Sequence, residues 1–163
     1  MKTITRLMLT ACLVLPLLAA CQKEEAAPVV EKAPMTAPTT DDPAAWRDYV
    51  SDVVTRNMEG ISNQPYVYLL PAESTEGFEG LYERLLEKAK SDVARGIIKG
   101  NLLAYASPSS AKMADIVVDS FTTVTPDTMK GVRVLFIGDA ADNARVQAAV
   151  APAGVEYKFI EAK

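Results

Sequence analysis

Asp139 and Asp142 stand three residues apart just after an apolar run, a spacing that suits paired carboxylates or the ligands of a hard metal ion. It equally suits an N-cap acid and its first-turn neighbour, and that simpler role is the one expected of them. Upstream, Ser107, Ser109 and Ser110 surround Pro108. Their hydroxyls and the amides of a helix start offer donors to an anion or small polar ligand, or else serve as caps. Histidine is absent from all 163 residues, and both cysteines, Cys12 and Cys21, lie near the amino terminus. The folding part therefore lacks the commonest general base and metal ligand, and any thiol nucleophile or disulfide. No cofactor or metal is expected of it, and binding is expected over catalysis.

Ser109-Ser110-Ala111-Lys112 sets a serine and a lysine one helical turn apart, on one side of a helix. The stretch resembles the S-x-x-K pattern of serine enzymes that handle penicillin, in which the lysine activates the serine. The accompanying S-D-N and K-T-G motifs are missing, and the chain is far smaller than those enzymes. A serine hydrolase using Ser109 and Lys112 is accordingly the least favoured of three functional expectations. Residues 96–100, GIIKG, lack the length and the Lys-Ser/Thr ending of a phosphate loop and read as a helix end and turn.

Hydrophobic spacing supplies the elements that must position these residues. Asp42-Pro43 starts a helix, with Asp42 as cap, whose apolar positions run from Trp46 to Met58. Arg47 and Arg56 are balanced by Asp48 and Asp52, so its stripe is expected on a sheet rather than on a membrane surface. Residues 65–70, PYVYLL, read as a strand, and residues 78–93 as a long amphipathic helix. A strand at 102–106, a helix opened by Ser107-Pro108, a strand at 132–137, a helix at 140–150 and a strand at 155–160 follow. Gly154 sits where a helix-terminating glycine belongs. The order α-β-α-β-α-β-α-β predicts a small three-layer α/β domain with a mostly parallel four-stranded sheet covered on both faces. Right-handed crossovers suggest an order such as 2-1-3-4, with the charged last strand at an edge. Three polar loops, at 72–75, 107–110 and 138–143, would then meet beyond the strand ends, where open α/β sheets usually bind ligands.

The amino terminus carries a different message. Lys2 and Arg6 precede an apolar run at 7–18 that is too short for a spanning helix of about 20 residues and fits an export signal. It ends in Leu18-Ala19-Ala20-Cys21, which resembles the lipobox of bacterial lipoproteins. That resemblance implies cleavage before Cys21, diacylglycerol on its thiol and commonly an acyl chain such as palmitate on the new amino terminus. At about 0.8 kcal/mol per buried methylene, two or three chains make a lasting anchor. Gln22 stands where an aspartate would resemble the inner-membrane retention signal, which favours the outer membrane facing the periplasm over the inner membrane or cell surface. Residues 1–20 are thus read as signal peptide, 21–42 as a lipid-anchored tether rich in Ala and Pro, and 43–163 as the domain.

The formal charge of −4 includes Lys2 and Arg6, so the chain left after cleavage is more acidic still. Nucleic acid is excluded as a natural partner, and no polybasic patch exists for anionic lipid, so membrane attachment must be covalent. The leading expectation is a non-enzymatic periplasmic module, of envelope-assembly or inhibitor type, that binds another envelope protein. The second is a small-ligand or anion binder using Ser107, Ser109, Ser110, Asp139 and Asp142 at the strand ends.

Overall fold

The computed structural model describes residues 33–163; the expected signal peptide, Cys21 and residues 22–32 lie outside the described residues. Helix α1 spans Pro43–Arg56, strand β1 Tyr66–Leu69, α2 Phe78–Ala94, β2 Leu102–Ala106, α3 Ser110–Phe121, β3 Arg133–Gly138, α4 Ala140–Val150 and β4 Glu156–Glu161. The alternation matches the α/β reading, and the sheet is parallel throughout. Asp42 caps α1 as expected, its carboxylate accepting from the amides of Ala44 and Ala45. Gly154 ends the short 3-10 turn after α4 at a φ of 80°, a left-handed angle that a β-carbon would oppose.

The strand order is β1-β2-β3-β4, not the expected 2-1-3-4. Right-handed crossovers that always step in the same direction lay every connecting helix on one face. Accordingly α2, α3 and α4 share a core with Tyr68, Tyr105, Val134 and Phe136. The other face is covered by α1, which packs Trp46, Tyr49, Val50, Val53 and Val54 onto Leu102, Ala104, Ala106, Leu135 and Ile137. The leading helix does what a reversal of strand order does in doubly wound sheets, so both faces are covered without one. A functional consequence follows, because the ligand crevice of such sheets forms where the order reverses, and this order never does.

A row of rings crosses the multi-helix face. Tyr68, Tyr105, Phe136 and Phe159 are successive register partners from β1 to β4. Tyr68 and Tyr105 stack with centroids 4.6 Å apart, and Phe136 and Phe159 stack at 6.2 Å. Such neighbours add roughly 0.5–1.5 kcal/mol each beyond their buried area and fix the register.

On the opposite face one helix, about 10 Å across, must cover four strands spaced about 4.8 Å apart, so it leaves a flank on either side. The β4 flank is filled from the segment preceding α1. Met35 and Ala37 pack against the α1-side core beside Ile160 and Ala162. The Met35 amide donates to Asp52 Oδ2 at 3.1 Å, the Ala37 amide to the Lys163 carbonyl at 3.0 Å, and Trp46 Nε1 to the Thr40 carbonyl at 3.0 Å. Ten residues that composition assigns to the tether are therefore held on the domain. Among the described residues the β1 flank has no such cover.

Candidate functional site

The loops at the carboxyl ends of the strands do meet, and their serines spend their hydroxyls tying those loops together. Ser107 Oγ accepts from the Ser109 amide at 2.8 Å, forming a tight turn that delays the helix start to Ser110. Ser109 Oγ accepts from the Glu73 amide at 3.0 Å. Ser110, 4% exposed, accepts from the Asp139 amide at 2.8 Å and donates to Asp142 Oδ2 at 2.6 Å. The other oxygen of Asp142 takes two bonds from Arg145, at 3.0 and 2.9 Å, and Arg145 also pairs with Asp115. Burial opposes the Arg145 charge, but Asp115 and Asp142 outweigh it and raise its pKa. Asp139 stands at the N-cap of α4, yet its side chain makes no capping bond.

A cavity of about 340 Å³ does open at this end, between Ser107, Pro108, Asp139, Trp46, Lys163 and residues 37–41. Of the five residues expected to bind a ligand, only Ser107 and Asp139 line it. Ser109, Ser110 and Asp142 serve the joints between loops. Lys112 is also directed elsewhere: its ammonium lies 3.6 Å from Glu73 Oε1 and 5.9 Å from the Tyr82 ring centroid, and no hydrogen bond joins it to Ser109. Among the described residues no three acidic side chains converge as metal ligands would.

A second buried polar cluster links β1 to α2. Asp92 accepts from Tyr68 at 2.9 Å and Lys88 at 2.5 Å, and also pairs with Arg95. Burial alone would raise the pKa of Asp92; the bonds from Lys88, Tyr68 and Arg95 more than reverse this and hold it below the ordinary carboxylate range. Burial pushes Tyr68 and Tyr105 far upward, so both stay neutral phenols. The Tyr105 hydroxyl is fully enclosed and has no hydrogen-bond partner among the described residues.

The feature that sequence reasoning missed lies on the uncovered flank. A groove of about 500 Å³ runs between α1 and β1, floored by Val50, Val54, Met58, Val67 and Leu69 and edged by Arg47, Ser51 and Thr55. Val67 is 45% exposed, although it points to the same face as core residues of β2 and β3. A smaller cavity of about 140 Å³ continues the track past Arg47 toward Trp46, Pro71 and Pro108. The run PYVYLL carries apolar residues on both alternations and so reads as a strand buried on both faces. Its missing charges were the available signal, because at an edge they mark a surface left unprotected. Comparison with protein-family models, curated proteins and solved structures finds no match for this chain.

Proposed function

We propose that this chain is a lipid-anchored lipoprotein of the bacterial envelope, most simply of the outer membrane facing the periplasm, whose domain binds another envelope protein. The groove between α1 and β1 carries the binding part of the reading. It is apolar, open and continuous with a sheet edge, which is the kind of surface a protein partner covers. The Leu18-Ala19-Ala20-Cys21 sequence carries the anchoring part. Together they make a module whose partner is sought at a membrane, where tethering raises the effective concentration of each for the other.

Two measurements test the two parts. Radiolabelled palmitate should label the wild-type chain in cells and not Cys21→Ser, and label retained by that variant ends the anchoring assignment. A benzoylphenylalanine photo-crosslinker in place of Val67 should give a discrete adduct in cells, while the same group at exposed Gln147 on α4 should not. Equal adducts at both positions, or none at Val67, ends the binding assignment. The strand-end cavity, with Asp139 and Lys163 on its wall, supports a small-ligand reading in second place. That reading requires Asp139→Ala to impair function at matched protein level.

A further inference from the structure

The two edges of the sheet are built differently. β4 carries Glu156, Lys158 and Glu161 along its length, charges that discourage another strand from pairing with it. β1 reads Tyr-Val-Tyr-Leu between Pro65 and Pro71 and has no charge at all. Leu70 donates its amide to the Ala106 carbonyl at 3.1 Å. Alternation along the strand then directs the amides and carbonyls of Val67 and Leu69 away from β2, toward the open edge. Their side chains form part of the groove floor. Backbone donors and acceptors for a new strand thus lie directly beside an apolar trough that receives every second side chain of such a strand.

The charge at this edge is equally specific. Arg47 is the one charged residue lining the groove, and it has no ion pair or hydrogen bond among the described residues. Asp41, which shares the upper end of the track, is engaged by the Ser74 hydroxyl at 3.1 Å. In an acidic chain, a lone guanidinium over an apolar floor is complementary to a carboxylate set between apolar side chains.

Resting on the binding reading above, we propose that β1 takes up an extended partner peptide as a fifth strand, with its alternate apolar side chains in the α1–β1 groove and an acidic side chain on Arg47. Main-chain pairing supplies affinity and the groove with Arg47 supplies selectivity, as in other strand-addition interfaces.

The probes are two capped peptides, Thr-Val-Thr-Glu-Thr-Val and its Thr-Val-Thr-Lys-Thr-Val counterpart, in which the central charge shares a face with the two valines. They are titrated into the isotope-labelled chain starting at residue 21 with Cys21→Ser, and backbone amide signals are followed by NMR. The glutamate peptide should shift the signals of Val67, Leu69 and Met58 saturably and bind at least fivefold more tightly than the lysine peptide. Arg47→Glu should invert that preference while leaving the thermal midpoint in place. Signals of Val67 and Leu69 that do not move, or equal affinity for both peptides, overturn the proposal. So does self-association through β1, seen as concentration-dependent shifts of the same signals without peptide. Binding that emerges only after deletion of residues 28–31 assigns the groove to the chain's own tether and likewise overturns it. A crosslink from position 67 to one envelope protein, with no peptide binding, keeps the binding module and discards strand addition.

Discussion

Ser110 on α3 donates to Asp142 on α4 across 2.6 Å, and the same oxygen accepts from the Asp139 amide. One buried hydroxyl therefore locks together the starts of two helices and the end of β3. The backbone beside it is equally tight: a β-carbon on Gly138 would lie 2.5 Å from Ser110 Oγ and 2.9 Å from Phe136 Cζ. Ser110→Ala strips a buried carboxylate oxygen and a partly buried amide of a partner at once, so thermal unfolding should show a loss of about 1–3 kcal/mol. Asp139→Ala removes an exposed side chain with no hydrogen bond and should cost at most about 0.5 kcal/mol. Equal losses from the two would mean that Asp139 caps α4 after all.

Gly138→Ala should cost more than a helix-cap loss, about 2–3 kcal/mol, because the new methyl must displace Ser110 Oγ or the Phe136 ring. Combined with Ser110→Ala it should be less than additive, since the second change removes the atom that the first one strikes. A double variant whose denaturation midpoint falls by the full sum would show that the methyl is accommodated elsewhere.

The elements were legible because their apolar residues recur at helical or strand spacing and their ends carry local signals such as Asp42-Pro43 and Gly154. What lay beyond reach depends on relations between elements. The strand order turns on which face α1 covers, and no residue of α1 says this by itself. The five candidate ligand residues are polar in sequence whether their hydroxyls face a cavity or one another, and only the pairing of Ser109 with Glu73 and of Ser110 with Asp142 decides between those roles. The groove escaped because Val67 has the chemistry of a buried residue; its exposure follows from one helix being too narrow for four strands.

Residues 33–41 are part of the folded unit, so a chain starting at Asp42 should be less stable than one starting at Ala33. Cutting there uncovers the α1-side core under Met35 and Ala37 and takes the backbone partner from Trp46 Nε1. The expected loss is about 1–3 kcal/mol, a drop in melting temperature of roughly 5–15 °C, with Trp46 emission shifted to the red. Coincident melts for the two chains would mean that the segment contributes nothing.

Asp92 predicts an acid limb to stability. Its folded pKa is depressed by Lys88, Tyr68 and Arg95, so its contribution is complete above the unfolded value of about 3.9 and is lost as pH falls through the lower folded value. Asp92→Asn should be less stable than wild type at pH 7, and the gap between them should narrow below about pH 4. A gap that stays constant from pH 7 to pH 3 would show that the carboxylate's charge is not what holds β1 to α2.

Tyr105 gives the opposite expectation to an ordinary core truncation. Its ring stacks on Tyr68 at 4.6 Å and stays in the row if replaced by phenylalanine, while the hydroxyl, enclosed without a partner among the described residues, was desolvated on folding with no bond in return. Tyr105→Phe removes that uncompensated group and keeps the packing, so it should stabilise the domain by about 1 kcal/mol. Tyr68→Phe deletes a hydroxyl of the same size from the neighbouring ring, but that hydroxyl donates to buried Asp92, and the change should cost about 1–3 kcal/mol. Chemical denaturation of the two variants side by side decides the matter. Midpoints that move in opposite directions confirm that the partner, not the ring, sets the sign, whereas equal losses would show that the Tyr105 hydroxyl is bonded in solution.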